Sequence, residues 1–366
     1  MSIPDWGIEK TNGRDADRPV FRPHIVARCM GDVEAMDISW VWINKIPHGR
    51  LTVLAGDGGV GKSFLTLAIA STVSTGARWP DGEPNSGPGS VVILNAEDDP
   101  GDTIRKRLDA CGADVRRVYT VDGVKRRHDG EVDYFSLVDD LRALEEKIIE
   151  VGAKLCIVDP LGAYLPGIDS HKDSEVRTVL GPLAALAQRT DCAILTVAHV
   201  TKAQTSKAAH KVGGSLAFTN AARMCWLIAR DPEDERRRLM LPYKFNIIEK
   251  PSGIGFIIED GAVRWLAGEV TETAESVLNM ECIAQDDRSK VSEVVEWLAS
   301  LLARGPMDVR EIERTAKAEC HSWRTVERAK KLLDVKSDRV GYGKGGRFDW
   351  RLPAIDRQPD FQPVGG

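Results

Sequence analysis

The sequence predicts an α/β protein in which a mostly parallel central sheet is covered by helices on both faces, followed by a small C-terminal helical module. Three observations carry this. The runs VVIL (91–94), LCIV (155–158) and AILTVA (193–198) are apolar throughout rather than alternating, as strands buried on both faces must be. Amphipathic stretches separate these runs, so the connections read as helices and the strands as parallel. From about residue 289 the pattern changes to short helices ending in a glycine-rich hairpin.

The elements follow in order. Residues 1–37 are polar and without a period, and read as an arm. From Ile38 the chain is β-like (ISWVWI), turns at Pro47-His48-Gly49 and enters the strand LTVLA, 51–55. A helix follows with Phe64, Leu65, Ala68 and Ile69 on one face, then a Gly/Pro-rich loop over 76–89. Strands are expected at 91–95, 117–121, 155–158 and 193–198, and helices at 102–111, 135–150 and 174–189. After Gly213 come a short helix and the strand CWLIA, and alternating segments at 238–245, 254–259 and 262–266 read as antiparallel additions to the sheet edge. The domain reading is therefore 1–37 arm, 38–267 main domain, 268–288 polar linker, 289–353 helical module and 354–366 tail.

Composition narrows the class. A chain of 366 residues with 42% hydrophobic and 29% charged residues is an ordinary globular one. No apolar run is long enough to span a bilayer and the start lacks a secretory pattern, so the expected location is cytoplasmic. The seven cysteines are scattered, with no CxxC pair, and read as reduced thiols. A net charge of −5 does not advertise nucleic acid, so any such site must be local.

AGDGGVGKSF holds the pattern GxxxxGK[ST], placed between a strand and a helix. Over Gly56, Asp57, Gly58, Gly59, Val60 and Gly61 the backbone N–H groups can turn inward around phosphates. Lys62 reaches the β/γ-phosphates, the Ser63 hydroxyl ligates Mg2+, and Phe64 begins the helix. Asp159, ending LCIVD, is the expected carboxylate on the metal side. The expected cofactors are therefore ATP and Mg2+. No NKxD base-reading motif follows and no LSGGQ segment occurs, which excludes GTPase and transporter classes. Pro160 stands where many motor ATPases carry a water-activating glutamate, so a base must come from another strand. Asp98 or Asp99 reads as the N-cap ahead of Pro100 at the first helical position. Arg105 and Arg107 either lie over an adenine face or belong to a solvated helix surface.

His199 ends a central strand on the side where open parallel sheets bind ligands, and reads as a γ-phosphate sensor. The loop after it carries Lys202, Lys207 and Lys211 with paired glycines and no acids: a solvated connection or a mobile contact to a nucleic-acid backbone. A bare GK[ST] site also needs extra positive charge at the transition state. Arg223 is the first choice for a cation from a neighbouring subunit and Lys244 the second.

GDGGVGKS, NAEDDP with a following RL, CIVDP, VAHVTK, GGS…NAAR and the late YKFN, in that order, resemble the RecA-like hexameric ATPases typified by plasmid and phage replicative DNA helicases. The likeness covers about 38–267 and implies a RecA-like P-loop fold. It further implies that the strand beside the P-loop strand ends in a glutamate facing the γ-phosphate, which makes Glu97 the base. With it come Lys62, Ser63 and Asp159 for Mg-ATP, His199 as sensor, Arg223 as a trans finger, and a hexamer. The C-terminal module departs from that pattern. Its three helices and the hairpin VGYGKGGRFDWRL look like a winged helix-turn-helix, with Arg324, Arg328 and Lys331 on the helix in the recognition position. Residues 321–351 hold nine Lys/Arg against four Asp/Glu, a balance that favours DNA, although such modules also dock proteins. The expected function is an oligomeric, ATP-hydrolysing DNA motor, most simply a replicative helicase of a mobile element or phage. The alternatives are a RecA-like recombination or repair ATPase without unwinding, and an ATP-controlled DNA-binding switch.

Overall fold

A computed structural model describes residues 27–126, 130–169, 172–199, 218, 222–249, 251–341 and 347–353, without the side chains of residue 173 and of 281–289. The chain divides into two compact units after Ile38. Among the described residues of the first, the regular structure is one 3-10 turn, Met30–Asp32.

The second unit opens with a small hairpin, β1 (Trp40–Trp42) and β2 (Ile46–Pro47), and is built on a nine-stranded sheet. Six of its strands run parallel, five of them on one side from β3 outward: β3 (Leu51–Gly56), β4 (Ser90–Asn95), β5 (Val118–Thr120), β6 (Ala153–Asp159) and β7 (Ala193–His199). β8 (Met224–Arg230) lies parallel on the other side of β3. β9 (Arg237–Phe245), β10 (Ile254–Glu259) and β11 (Ala262–Trp265) extend that side as an antiparallel meander. The order across the sheet is β11-β10-β9-β8-β3-β7-β6-β4-β5.

Period-two alternation sends each central strand's side chains into two cores. Leu54, Ile93, Ile157 and Leu195 face one side, where helix α1 (Lys62–Thr75) and α2 (Arg105–Ala110) pack. Val53, Val92, Val158 and Ile194 face the other, covered by α3 (Leu141–Val151) and α4 (Asp173–Thr190). Both faces are buried and mainly apolar, with Thr52 and Thr196 as exceptions, which is why these strands carry no polar alternation. Trp226 on β8 is fully buried, donates its indole N–H to Lys45 O at 3.2 Å and meets Phe245 edge-on at 5.1 Å between ring centres.

Three sequence expectations are corrected. The strand carrying Glu97 is not beside the P-loop strand: β3 pairs with β7 and β8, and β4 lies beyond β6. The helix expected over 135–150 starts at Leu141, because the extended segment before it buries Phe135 and Leu137, with Leu137 N–H donating to Tyr164 O at 2.9 Å. Much of the stretch read as a linker is helical: α5 (Ala274–Leu302) begins at a capping box in which Thr273 Oγ1 accepts from Ser276 N–H. Its first turns pack Val277 and Leu278 on Leu239 and Leu241 of β9, and its last turns put Val294, Leu298 and Leu302 into a separate core.

That core belongs to the C-terminal module. α6 (Val309–Ala318), α7 (Trp323–Leu332) and a sheet of β12 (Met307–Asp308), β13 (Lys336–Val340) and β14 (Arg347–Arg351) close over Ile312, Val326, Ala329 and Trp350. Among the described residues no helix is long and apolar enough to cross a membrane.

Trp226→Ala removes a fully buried indole and leaves the Lys45 carbonyl without its donor. It is expected to destabilise the sheet unit by about 3–5 kcal/mol, read as a lower urea midpoint of the main unfolding transition. An unchanged midpoint would contradict this packing.

Candidate functional site

The site lies at the carboxyl ends of the parallel strands. Register puts Gly56 of β3 opposite His199 of β7, and Asn95 of β4 opposite Asp159 of β6, two residues apart in level, so strands distant in sequence end beside one another. A cleft of about 440 Å³ opens there, lined by Gly59, Gly61, Lys62, Ser63, Phe64, Glu97, Asp98, Arg107, Asp159, Val197, His199, Arg238 and Ile258.

Local chemistry explains the loop. Gly56 packs so tightly on β8 that a Cβ would stand 2.2 Å from Ile228 O. Gly61 sits at φ 95° as the N-cap of α1, where a Cβ would also meet Ile258 at 2.5 Å. Gly58 and Gly59 would have nothing within 4 Å of a Cβ, so the cradle is open on its outer side. Val60 tucks inward and is buried. Lys62, the first residue of α1, is buried, and its Nζ donates to Gly56 O at 2.8 Å and to Asp57 O at 2.7 Å. Burial pulls its pKa down, while Asp159, Asp57 and Glu97 oppose that shift.

His199 Nδ1 lies 3.4 Å from Lys62 Nζ. Burial and then the Lys62 charge lower the imidazole pKa, which favours the neutral ring. Asp159 is buried at 3% exposure, with Thr66 Oγ1 donating to its Oδ2 at 3.4 Å. Burial raises its pKa to about 6, opposed by hydrogen bonding from Ser63. Ser63 and Asp159 thus converge beneath the mouth of the cradle.

Glu97 is exposed on the cleft wall. It is placed by Asn95, whose Oδ1 accepts from Glu97 N–H at 2.9 Å and Asp98 N–H at 2.7 Å, a role that sequence reading did not assign. The two following acids have separate tasks. Asp99 caps the next turn, accepting from Gly101 N–H at 2.7 Å and Asp102 N–H at 2.9 Å. Asp98 is not a cap: it pairs with Arg107 at 2.8 Å and holds that guanidinium 4.1 Å from the centre of the Phe64 ring. Arg107 therefore lines the cleft with one face already stacked. Arg105 points elsewhere and pairs with Asp109.

Arg223 and Lys244 lie at the opposite end of the sheet. β8 runs parallel to β3, with Met224 opposite Thr52, so exposed Arg223 stands at the strand's start and Arg230 at the P-loop end. That separates Arg223 from its own cleft by about 20 Å of strand. Lys244 pairs with Cys225 beside it, and burial lowers its pKa first, with Arg223 and Arg177 adding to that. Lys202, Lys207 and Lys211 fall outside the described residues. Arg324, Arg328 and Lys331 are exposed on α7, whose other face buries Val326 and Ala329.

The mostly parallel sheet and the glycine-loop cleft at its strand ends fit a RecA-like P-loop NTPase fold. The family model described as AAA domain matches residues 25–205. DNA repair protein RadA of Mycobacterium tuberculosis is 28% identical over 160 residues, which is 43% of this chain and 28% of that protein. DNA repair protein RadA of Synechocystis sp. is 31% identical over 166 residues, 43% of this chain and 30% of that protein. The chain thus spans less than a third of the length of these curated relatives.

The raised pKa of Asp159 has a testable sign. A carboxyl that titrates near 6 in the fold and near 3.8 when unfolded contributes stability that is present below about 4 and is lost as pH rises through about 6. Relative to Asp159→Asn, the nucleotide-free wild type should lose up to about 3 kcal/mol between pH 4 and pH 7, at about 1.4 kcal/mol per unit. Urea titrations of both proteins across that range check this; a constant difference would contradict it.

Proposed function

We propose that this protein hydrolyses Mg-ATP in the cleft at the strand ends and couples that hydrolysis to DNA in repair or recombination. The observation that carries the reading is the convergence of Lys62, Ser63, Asp159, Glu97 and His199 in one cleft around a glycine cradle. The DNA part is supported by relatives named as DNA repair proteins and by the exposed basic face of α7.

The residues fit the groups that this reading needs. A glycine loop leading into a helix N-terminus offers N–H groups to phosphates, and the space beside Gly58 and Gly59 leaves the loop open on its outer side. Lys62 Nζ, which now donates to two loop carbonyls, exchanges them for phosphate oxygens. Ser63 and Asp159 are the oxygen donors for Mg2+, a cation that takes one or two protein ligands and otherwise phosphate and water. When bound, the ion neutralises charge on the transferred phosphoryl group. Among the described residues no group of three or more His, Cys, Asp or Glu could hold a metal alone, and this arrangement does not require one. Glu97, exposed and held by Asn95, orients the attacking water and takes its proton. His199, against Lys62, reads the presence of the terminal phosphate.

Arg223 and Lys244, being at the far sheet end, serve a neighbour's cleft in a ring, for which a hexamer is the proposed form. The loop lysines 202, 207 and 211 and the winged-helix face of the C-terminal module contact DNA. Replicative unwinding is the second reading, favoured by the order of the strand-end motifs; the names of the relatives favour repair. A forked duplex that stays closed while single strands stimulate hydrolysis supports the first reading, and opening of the fork supports the second.

Two outcomes are expected. Glu97→Gln should lower the turnover number by about 10²–10⁴-fold with ATP affinity kept, whereas Lys62→Ala should lose both; equal turnover by Glu97→Gln and wild type would remove Glu97 from the chemistry. Replacing Arg324, Arg328 and Lys331 together by Ala should weaken duplex binding and flatten its dependence on log salt by about 2–3 in slope. An unchanged slope would take α7 off the DNA.

A further inference from the structure

Three consecutive arginines, Arg236 just before strand β9 and Arg237 and Arg238 at its start, stand together, and only two of them have acid partners among the described residues. Arg236 pairs with Glu259 at 3.7 Å. Arg237 pairs with buried Asp231 at 2.7 Å and with Glu272 at 3.2 Å. Arg238, on the other face of the strand from Arg237, has no ion-pair partner among the described residues. One of its terminal nitrogens donates to the carbonyls of Glu235 and Arg236, and its buried Nε has no acceptor.

Its surroundings make this arrangement costly. Arg238 pairs across the ladder with Arg230, a second cation, and burial followed by Arg230 lowers its pKa, with only Asp234 opposing. A half-buried guanidinium facing a like charge is unfavourable until an anion joins it. Arg230 in turn donates to Gly59 O in the cradle at 3.3 Å, so the pair is tied to the phosphate loop. Arg238 itself lines the same cleft as Lys62 and Asp159.

We infer that Arg238 binds the phosphate chain of the nucleotide in its own subunit, a cation supplied in cis by the β8–β9 hairpin. The inference rests on the ATPase reading and adds to it a residue that no motif marks. Arginine suits the task because its planar fork can meet two phosphate oxygens while one nitrogen stays on the turn carbonyls. It also differs from the proposed trans cations at the far sheet end: Arg238 needs no neighbour to reach the cleft.

The test is calorimetric titration of the full chain with a non-hydrolysable ATP analogue and Mg2+. Arg238→Gln should raise Kd about 10–100-fold, as expected for loss of charge-assisted hydrogen bonds, with Arg238→Lys intermediate. The melting temperature of the nucleotide-free variant should be equal to or above that of wild type, which separates lost contact from lost fold. Mixing Arg238→Gln with Lys62→Ala should restore no hydrolysis, since each protein spoils its own cleft. A Kd for Arg238→Gln within twofold of wild type, or activity regained on mixing, would overturn the inference while leaving the ATPase reading intact. Wild type that binds no analogue would overturn both.

Discussion

Everything at the site depends on the parallel register of four neighbouring strands. Because β3, β7, β6 and β4 run the same way and keep their register at the carboxyl ends, Gly56 finishes level with His199, and Asn95 level with Asp159 two residues earlier, with His199 and Asp159 on the same face of the sheet. Backbone hydrogen bonds thus set the spacing of side chains that are far apart in sequence. A slip of one residue would turn His199 or Asp159 to the other face of the sheet. The two apolar cores oppose such a slip, since the strand would exchange its buried sets.

Charge is the second constraint. Lys62 and Asp159 are both buried and each carries a pKa displaced by burial in the direction that resists ionisation. They moderate one another, and Glu97 adds negative charge from the cleft wall. The site is therefore electrostatically unsettled without a bound group that brings phosphate to the lysine and a cation to the carboxylate. Under the proposed function, binding and correct ionisation reinforce each other, which is a reason for burying such groups rather than leaving them in water.

The parts that could be read from sequence were those whose chemistry is contiguous. Gly56 to Ser63 declare a phosphate loop because one turn needs all of those residues together. Asp159 and His199 could be found because apolar strands end on them. Position across the sheet was not legible: local pattern says that a segment is a strand but not which strand it joins, so β4 was set beside β3 when β6 and β7 intervene. The same blindness hid Arg238, which looks like part of a surface run until the β8–β9 pairing brings it to the cleft. Asn95 was passed over because an Asx turn is a matter of side-chain geometry. The helix from Ala274 is hard to read in sequence because its capping box has Ser276 where the familiar pattern has Glu or Gln, and its middle carries the polar run QDDRSK.

The long helix α5 gives the molecule its remaining logic. One end packs on β9, the strand that also carries Arg238, and the other forms part of the module bearing the basic face of α7. The strand that carries Arg238 and the proposed DNA-binding surface are thus linked by one continuous helix. Steady-state ATP hydrolysis measured while single-stranded DNA is titrated in tests the central claim most directly. Mg-dependent turnover that rises severalfold and saturates with DNA is the expected result; no turnover with or without DNA would contradict the account.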